Sequence, residues 1–363
     1  MIYAIILAGG KGERLWPLSR YYRPKQLLKV ASDKTLLQQT INRIRPLVPA
    51  SNIYVVTNSV LFELIRKQVA GFKIPQENIL LEPGSPKNTA PAIGWAAVRI
   101  AAVDREAIIV VLPSDHFIKK KDRFLRALSY AKTLALRGDY LVTFGVRPDG
   151  PEIGYGYIKT SCQLPISVHQ KGRAYRVEKF IEKPSQKRAK QFLRDKRYYC
   201  NSGIFVWKAR VILDEIKKYL PGLYKNLLRI NKKGAKVKKI WQKMPTVSID
   251  YGIMEKSKRV VMVPLECDWT DLGSWDTLGR VFSRDKSGNI FYADSIDRGS
   301  RNIIVWGRGF IGTKSGRLIA TIGLKDLIIV DTPDALLICK KSRTQEVKKI
   351  VEELKRKGRE EIT

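Results

Sequence analysis

Histidine is almost absent from this 363-residue chain, which contains only two, His116 and His169. With so few imidazoles, the sequence argues against a histidine-ligated metal centre and against a Ser-His-Asp triad. His116 is predicted to pack or to form a hydrogen bond rather than to bind a metal.

Paired cysteines and long apolar runs are missing as well. The four cysteines are scattered without a Cys-x-x-Cys pair, which predicts free thiols in a reducing cytoplasm. No run reaches the roughly 18 apolar residues of a membrane helix, so no membrane partner is expected. The short apolar stretch at residues 2–8 lacks a basic region before it and a cleavage site after it, and is predicted to be a strand.

Acidic residues are scarce, because 34 Asp and Glu face 68 Lys and Arg, for a formal charge of +34. Residues 208–243 alone carry 12 basic and two acidic residues, a local charge of +10. Such a segment could bind nucleic acid or an anionic membrane, and the alternative is a solvated basic surface without a partner. We prefer the solvated surface, since no known nucleic-acid module accompanies the charges. No specific nucleic-acid partner is predicted.

The first half of the chain alternates apolar runs with amphipathic stretches. Strands are predicted at 2–8, 53–57, 107–112 and 140–145, and helices at 35–45, 60–70, 91–103 and 122–136. This alternation predicts an α/β fold with a Rossmann-like mixed, mostly parallel sheet covered on both faces. Ligands of such sheets bind beyond the carboxyl ends of the strands.

The second half changes character. Short strands (155–160, 174–181, 203–207) and helices (185–194, 209–219) are predicted to extend the same sheet. After about residue 285 come β-rich runs at 302–307, 318–322, 327–330 and 335–338 and a helix at 344–357, which predict a small β-roll or short β-helix. The expected domains are a catalytic domain, 1–285, and a β-rich domain, 286–363, whose surface suits a homodimer.

A glycine-rich segment follows the first predicted strand, with three glycines within four residues. Glycines let the backbone approach a ligand and point N–H groups at it, and Arg14 and Lys25 add charge for phosphate oxygens. No Gly-Lys-Ser/Thr follows, so this is not a Walker A loop, and the third glycine of the dinucleotide fingerprint is missing. The residues predicted to bind a nucleoside triphosphate here are Leu7, Ala8, Gly9, Gly10 and Gly12.

The continuation Leu15-Trp16-Pro17-Leu18-Ser19-Arg20, followed by Pro24-Lys25-Gln26, resembles sugar-1-phosphate nucleotidyltransferases, in particular the mannose-1-phosphate guanylyltransferases. The resemblance implies transfer of GMP from GTP to mannose 1-phosphate, with Mg²⁺ as cofactor. It also implies catalytic roles for Arg14, Lys25 and Lys183.

One position departs from the family. Where relatives usually have Thr after the last loop glycine, this chain has Glu13. A carboxylate beside a triphosphate is unfavourable unless it faces away or pairs with a cation such as Arg14.

The resemblance places Glu82, Asn88 and Thr89 in the base and ribose pocket. Guanine presents N1–H and N2–H donors, so a carboxylate or a carbonyl facing them would select it over adenine. From the residues alone, Asn88 or Thr89 is also a good N-cap for the helix that follows, and simple helix initiation remains the alternative.

Two aspartates are candidate metal ligands. Asp115 follows a buried strand, where a carboxylate suits Mg²⁺ and a helix cap is the alternative. Asp271 lies in an Asp-x-Gly-Ser-Trp element of the family whose first Asp binds metal, with Asp268 as the competing candidate.

The sugar-phosphate side is assigned by resemblance. Glu182 of a Glu-Lys-Pro element would bind sugar hydroxyls and Lys183 the phosphate, while Asp250 would shape the pocket or pair with a cation. A generic β-turn is the alternative for the Gly-Tyr-Gly element that begins at residue 154. The full set on this side is Gly154, Glu182, Lys183, Asn201 and Gly203.

Three other functions stay open. The same chemistry suits another sugar 1-phosphate or another nucleotide. A catalytically silent nucleotide-sugar sensor is disfavoured by the intact set of charged residues. A basic RNA-associated protein would have to bind RNA at physiological salt.

Overall fold

The computed structural model describes residues 1–10, 12–165, 172–232, 234, 236–307 and 317–363. They form two compact units. Unit 1 comprises Met1–Gly9, Thr40–Ser114 and Ile118–Trp269, and unit 2 comprises Gly10–Gln39, Asp115–Phe117 and Thr270–Thr363. Residue 285, the predicted domain boundary, lies inside unit 2. These compact units are not the predicted domains, so the domain boundary stays a prediction.

The first eleven strands belong to unit 1 or to the points where the chain passes between the units. They are β1 (Ile2–Leu7), β2 (Ile53–Thr57), β3 (Ile79–Leu81), β4 (Ile108–Pro113), β5 (Phe117–Ile118), β6 (Leu141–Val146), β7 (Tyr157–Gln163), β8 (Tyr175–Ile181), β9 (Tyr198–Lys208), β10 (Val260–Pro264) and β11 (Trp269–Thr270). Nine of them form one sheet, in the order β3-β2-β1-β4-β9-β6-β10-β8-β7.

The sheet is mixed, as the sequence predicts. Strand β1 is parallel to both β2 and β4, with Ile5 opposite Tyr54 and Val111. Strand β9 is antiparallel to β4 and β6 and longer than the predicted 203–207. The successive residues Ala4, Ile5 and Ile6 are all fully buried, as in a strand covered on both faces.

The predicted helices of the first half are all present. The helices are α1 (Leu36–Ile44), α2 (Phe62–Val69), α3 (Thr89–Val103), α4 (Lys121–Arg137), α5 (Gln186–Arg194), α6 (Ala209–Tyr219), α7 (Pro221–Ile230) and α8 (Val237–Gln242). Helix α3 packs closely on α7, because a Cβ at Gly94 would lie 2.6 Å from Leu227 Cδ1. None of the described helices is both long and apolar enough to cross a membrane.

Unit 2 contains the β-rich part. Its remaining elements are α9 (Trp275–Leu278), β12 (Ile290–Tyr292), β13 (Ser295–Arg298), β14 (Ile304–Trp306), β15 (Ile319–Ile322), β16 (Leu327–Asp331), β17 (Leu336–Lys340) and α10 (Val347–Arg356). Strands β12, β14 and β16 form one parallel ladder and β13 and β15 a second, while β17 is antiparallel to β16. Successive coils stack Ile290, Ile304 and Ile328 in register, and the predicted short β-helix is confirmed.

The core of unit 2 joins the glycine-loop segment to the β-rich part. Leu15 and Trp16 are buried in one cluster with Trp275, Trp306 and Val351. The Trp275 indole N–H also donates to the Trp16 carbonyl at 2.9 Å. Residues 10–39 therefore fold with residues 270–363 rather than with the large sheet.

This ladder makes a testable contribution to stability. Ile304 is 2% exposed between two other isoleucines, so Ile304→Ala removes methyl groups from a packed stack. We expect the substitution to lower the free energy of unfolding by about 2–5 kcal/mol. The measurement is a urea titration in which tryptophan fluorescence reports unfolding. The control is Ile296→Ala on β13, where Ile296 is 53% exposed. Equal effects of the two substitutions would contradict the packing described.

Candidate functional site

The carboxyl end of β1 is tied to the end of β2 within unit 1. The Ala8 N–H donates to the Val56 carbonyl at 2.8 Å, and the Thr57 hydroxyl donates to the Ala8 carbonyl at 3.0 Å. The Asn58 side-chain amide donates to the Gly9 carbonyl at 3.1 Å. Thr57 and Asn58 thus fix the first part of the glycine loop, a role that sequence reasoning missed.

Glu82 lies beside this loop segment. A Cβ at Gly9 would lie 3.9 Å from Glu82 Oε2, so the structure brings Gly9 and Glu82 together. Burial raises the pKa of Glu82 to about 7, and a hydrogen bond from the Lys87 backbone N–H acts in the opposite direction. A carboxylate this poorly hydrated favours a ligand that offers N–H donors.

Asn88 and Thr89 have structural partners. Asn88 has φ of +69° and caps α3 by accepting from the Thr89 N–H at 2.8 Å. The Thr89 hydroxyl accepts from the Ile249 N–H at 2.8 Å and so anchors the segment that leads to Asp250. Helix initiation therefore accounts for the Asn88 oxygen, and the pocket roles of both residues stay predictions.

The second part of the loop, in unit 2, packs directly on Lys25. Gly12 has φ of +68°, and a Cβ there would lie 2.5 Å from the Lys25 Cβ and 3.0 Å from its backbone nitrogen. Only glycine fits such a position. The Gln26 side-chain amide donates to the Gly10 carbonyl at 3.0 Å, and the Ser19 hydroxyl donates to the Gly12 carbonyl at 2.7 Å.

Lys25 connects the two candidate metal ligands. Its Nζ lies 2.8 Å from Asp115 Oδ2 and donates to the Asp271 carbonyl, and the residue is only 6% exposed. Burial acts to raise the pKa of Asp115, but the charges of Lys25 and His116 outweigh it and the pKa lies below its usual value. Asp115 is therefore ionised throughout the neutral range.

The two competing aspartates, Asp271 and Asp268, have different partners. Asp271 Oδ1 accepts from the Gly273 N–H at 2.8 Å beside Lys25, whereas Asp268, in unit 1, pairs with Lys120 at 2.9 Å. No cluster of three or more His, Cys, Asp or Glu capable of holding a metal occurs among the described residues. The Asp115 and Asp271 carboxylates are hard oxygen donors, which suits Mg²⁺ completed by phosphate and water.

Arg14 and Glu13 lie in a 3₁₀ turn, Glu13–Leu15. Within the described part of the chain, Arg14 forms no hydrogen bond or ion pair, so its guanidinium is available to an anion. Glu13 pairs with Lys355 at 2.6 Å and not with Arg14. Lys11 lies outside the described residues.

Asn201 and Asp250, which the sequence predicts to lie on the sugar side, form a polar cluster in unit 1. The Asn201 amide donates to Asp250 Oδ1 at 3.0 Å, and the Asn201 oxygen accepts from the Thr143 hydroxyl and the Gly203 N–H. Gly203, at φ of +67°, lies within β9 where its pairing with β6 shifts register, and its N–H reaches the Asn201 oxygen. The partner of Asp250 is thus an amide rather than a cation.

Glu182 lies against Gly156, where any Cβ would collide with its carboxylate. Burial, reinforced by the charge of Asp250, raises the pKa of Glu182 to about 7, while Lys183, 3.9 Å away, acts to lower it. Gly154 is exposed, with no described atom outside its chain neighbours within 4 Å of its Cβ position, and its role stays a prediction.

The other predictions concern the basic segment and the second histidine. His169, Lys233 and Ala235 lie outside the described residues. Lys208 and Arg210, at the start of the basic segment, are paired with Glu106 and Asp139.

Comparison with known proteins gives consistent matches over nearly the whole chain. The family profile described as "Nucleotidyl transferase" matches residues 3–288, and the profile "MannoseP isomerase/GMP-like beta-helix domain" matches residues 300–354. The alginate biosynthesis protein AlgA of Pseudomonas aeruginosa is 38% identical over 98% of this chain and 73% of its own length. The mannose-1-phosphate guanylyltransferase of Escherichia coli K12 is 35% identical over 99% of this chain and 75% of its own.

A solved structure extends the match to the fold. A Thermus thermophilus protein, described as a mannose-1-phosphate geranyltransferase, has a TM-score of 0.84 at 31% identity. The match covers 98% of this chain and 99% of that one.

The raised pKa of Glu182 makes stability depend on pH. The folded protein keeps a proton that the unfolded chain releases, so stabilisation present below pH 4.5 is lost as the pH rises to about 7. Between those values we expect the unfolding free energy of the wild type to fall by about 3 kcal/mol more than that of Glu182→Gln. Urea titrations at several pH values measure this difference in unfolding free energy. The control is Glu77→Gln, because Glu77 is exposed. Parallel curves for the wild type and Glu182→Gln would rule out the burial effect.

Proposed function

The chain belongs to the nucleotidyl transferase family, in its mannose-1-phosphate guanylyltransferase branch, and we propose that it transfers GMP from GTP to mannose 1-phosphate. The products are GDP-mannose and pyrophosphate. The observation that carries the proposal is the contact of the buried Lys25 ammonium with Asp115 and Asp271, both of which are half-buried. Lys25 itself packs against Gly12 of the glycine loop. A cytoplasmic location and a homodimer stay predictions.

The nucleotide is held by the loop and by two cations. The backbone N–H groups of the loop and the guanidinium of Arg14 bind the triphosphate. Counting described residues, Asp115 and Asp271 engage two of the three donors of the Lys25 ammonium, which leaves one for a phosphate oxygen. Glu82 accepts from guanine N1–H and N2–H, and these donors favour its ionised form.

The second substrate supplies the nucleophile. A phosphate oxygen of mannose 1-phosphate is ionised at neutral pH, so it attacks the α-phosphorus of GTP without a general base. Lys183 holds this phosphate, and Glu182 and Asn201 bind the sugar hydroxyls. Catalysis is then positioning and charge neutralisation.

We assign a Mg²⁺ site to Asp115 and Asp271. When bound there, the ion supplies positive charge to the phosphate groups of both substrates. Lys25 keeps the Asp115 carboxylate ionised and fixes the backbone of Asp271 beside it. Pyrophosphate leaves towards Arg14 and Lys25, which stabilise its charge.

A substrate matrix tests the reaction. Pyrophosphate release is measured with Mg²⁺ for four nucleoside triphosphates, each combined with mannose, glucose, fucose and N-acetylglucosamine 1-phosphates. Strong release with GTP and mannose 1-phosphate alone is expected. A different preferred pair would change the substrates and keep the chemistry, whereas no release from protein that still binds GTP would indicate a nucleotide-sugar sensor.

Removing a charge from the cluster is expected to slow turnover without unfolding the protein. Lys25→Ala and Asp271→Asn each lower kcat about 10²–10³-fold, because each removes charge stabilisation that acts in the transition state. The matched controls are Lys29→Ala and Asp268→Asn, both expected within about threefold of wild type. Near wild-type kcat for Asp271→Asn, or a large loss for Asp268→Asn, would overturn the assignment of the metal ligand.

A further inference from the structure

The Glu13 carboxylate, next to Arg14, has the same sign of charge as a triphosphate. We infer that Lys355 of helix α10 is a positioning residue for the nucleotide: it neutralises Glu13 and fixes the turn that presents Arg14. The inference rests on the proposed function, because it takes Arg14 as a ligand of the triphosphate.

The contact is close and partly shielded from water. Lys355 Nζ lies 2.6 Å from Glu13 Oε1, and the two side chains are 35% and 19% exposed. At this distance the pair is a charge-assisted hydrogen bond, stronger than a neutral one. Glu13 thereby carries little net negative field towards a ligand of the loop.

Helix α10 is itself held firmly in unit 2. Val347 and Val351 are each 2% exposed and belong to the same core cluster as Leu15 and Trp16. Residues four and eight positions apart lie on one helix face, so Lys355 continues the stripe of these two valines. The buried stripe therefore directs the ammonium group at the glycine-loop segment.

The turn is fixed at its other end by hydrogen bonds to the residue that follows it. The Trp16 indole N–H donates to the Ile362 carbonyl at 2.7 Å, and the Trp16 carbonyl accepts from the Trp275 indole. Leu15 is fully buried. On the side nearer the glycines, the ion pair of Glu13 restrains the turn together with the hydrogen bond from Ser19 to the Gly12 carbonyl. Arg14 therefore lies between two restrained neighbours.

The charge role and a purely structural role make different predictions. If Lys355 only docked the helix, losing either partner would weaken nucleotide binding equally. If it neutralises Glu13, Lys355→Met leaves an unpaired carboxylate near the triphosphate, whereas Glu13→Gln removes that charge. Removing both charges should then be less harmful than removing the lysine alone.

The test is the equilibrium affinity for GTP with Mg²⁺, measured by calorimetry without sugar phosphate. We expect Lys355→Met to raise Kd about tenfold and Lys355→Arg to stay within about threefold of wild type. The double variant Glu13→Gln/Lys355→Met should also lie within about threefold of wild type. In turnover, Lys355→Met should raise KM for GTP and leave KM for mannose 1-phosphate unchanged. The matched control is Lys348→Met, on the same helix, whose Kd should not change.

The outcomes separate this inference from the proposed function. Wild-type protein that fails to bind GTP would contradict the proposed function and the inference together. Wild-type binding with an unchanged Kd for Lys355→Met would overturn the inference alone. A double variant as weak as Lys355→Met would show that helix docking, not charge, is what Lys355 supplies, and would also overturn it.

Discussion

The ammonium group of Lys25 is the contact on which the candidate site depends. A buried cation is stable only with partners, and here they are the Asp115 carboxylate and the Asp271 carbonyl, which the ammonium brings together from distant parts of the chain. Gly12 packs against the same side chain, so Lys25 contacts both the glycine loop and the two aspartates. One side chain thus sets both the charge and the geometry of the phosphate end.

The chain segments that make up unit 2 explain how the contacts of Lys25 are held in place. The glycine-loop segment shares its core with the short β-helix and with α10, through Leu15, Trp16 and Val351. The β-rich part therefore contributes to the core that holds the segment containing Arg14. In unit 1, Asn201 of the proposed sugar side is held by its hydrogen bond to Asp250.

The sequence alone predicts the parts whose signals are local. Alternating apolar runs predict β1, β2 and β4, and the glycine spacing predicts the loop, because both depend on neighbouring residues. The apolar run of β10, Val260–Pro264, has the same local signal, although no strand is predicted there above. Contacts between distant residues have no local signature: Glu13 and Lys355 are 342 positions apart, and no pattern in the sequence connects them. The predicted boundary at residue 285 likewise could not show that residues 10–39 pack with the C-terminal part.

We propose that Asp115 and Asp271 belong to one cation site that the nucleotide completes. The most direct measurement is Mn²⁺ binding, followed by electron paramagnetic resonance of the free ion, with GTP present and sugar phosphate absent. We expect GTP to promote Mn²⁺ binding to the wild type and Asp115→Asn and Asp271→Asn each to weaken it. The double variant should bind Mn²⁺ little more weakly than either single variant. Unchanged Mn²⁺ affinity in both single variants would contradict it.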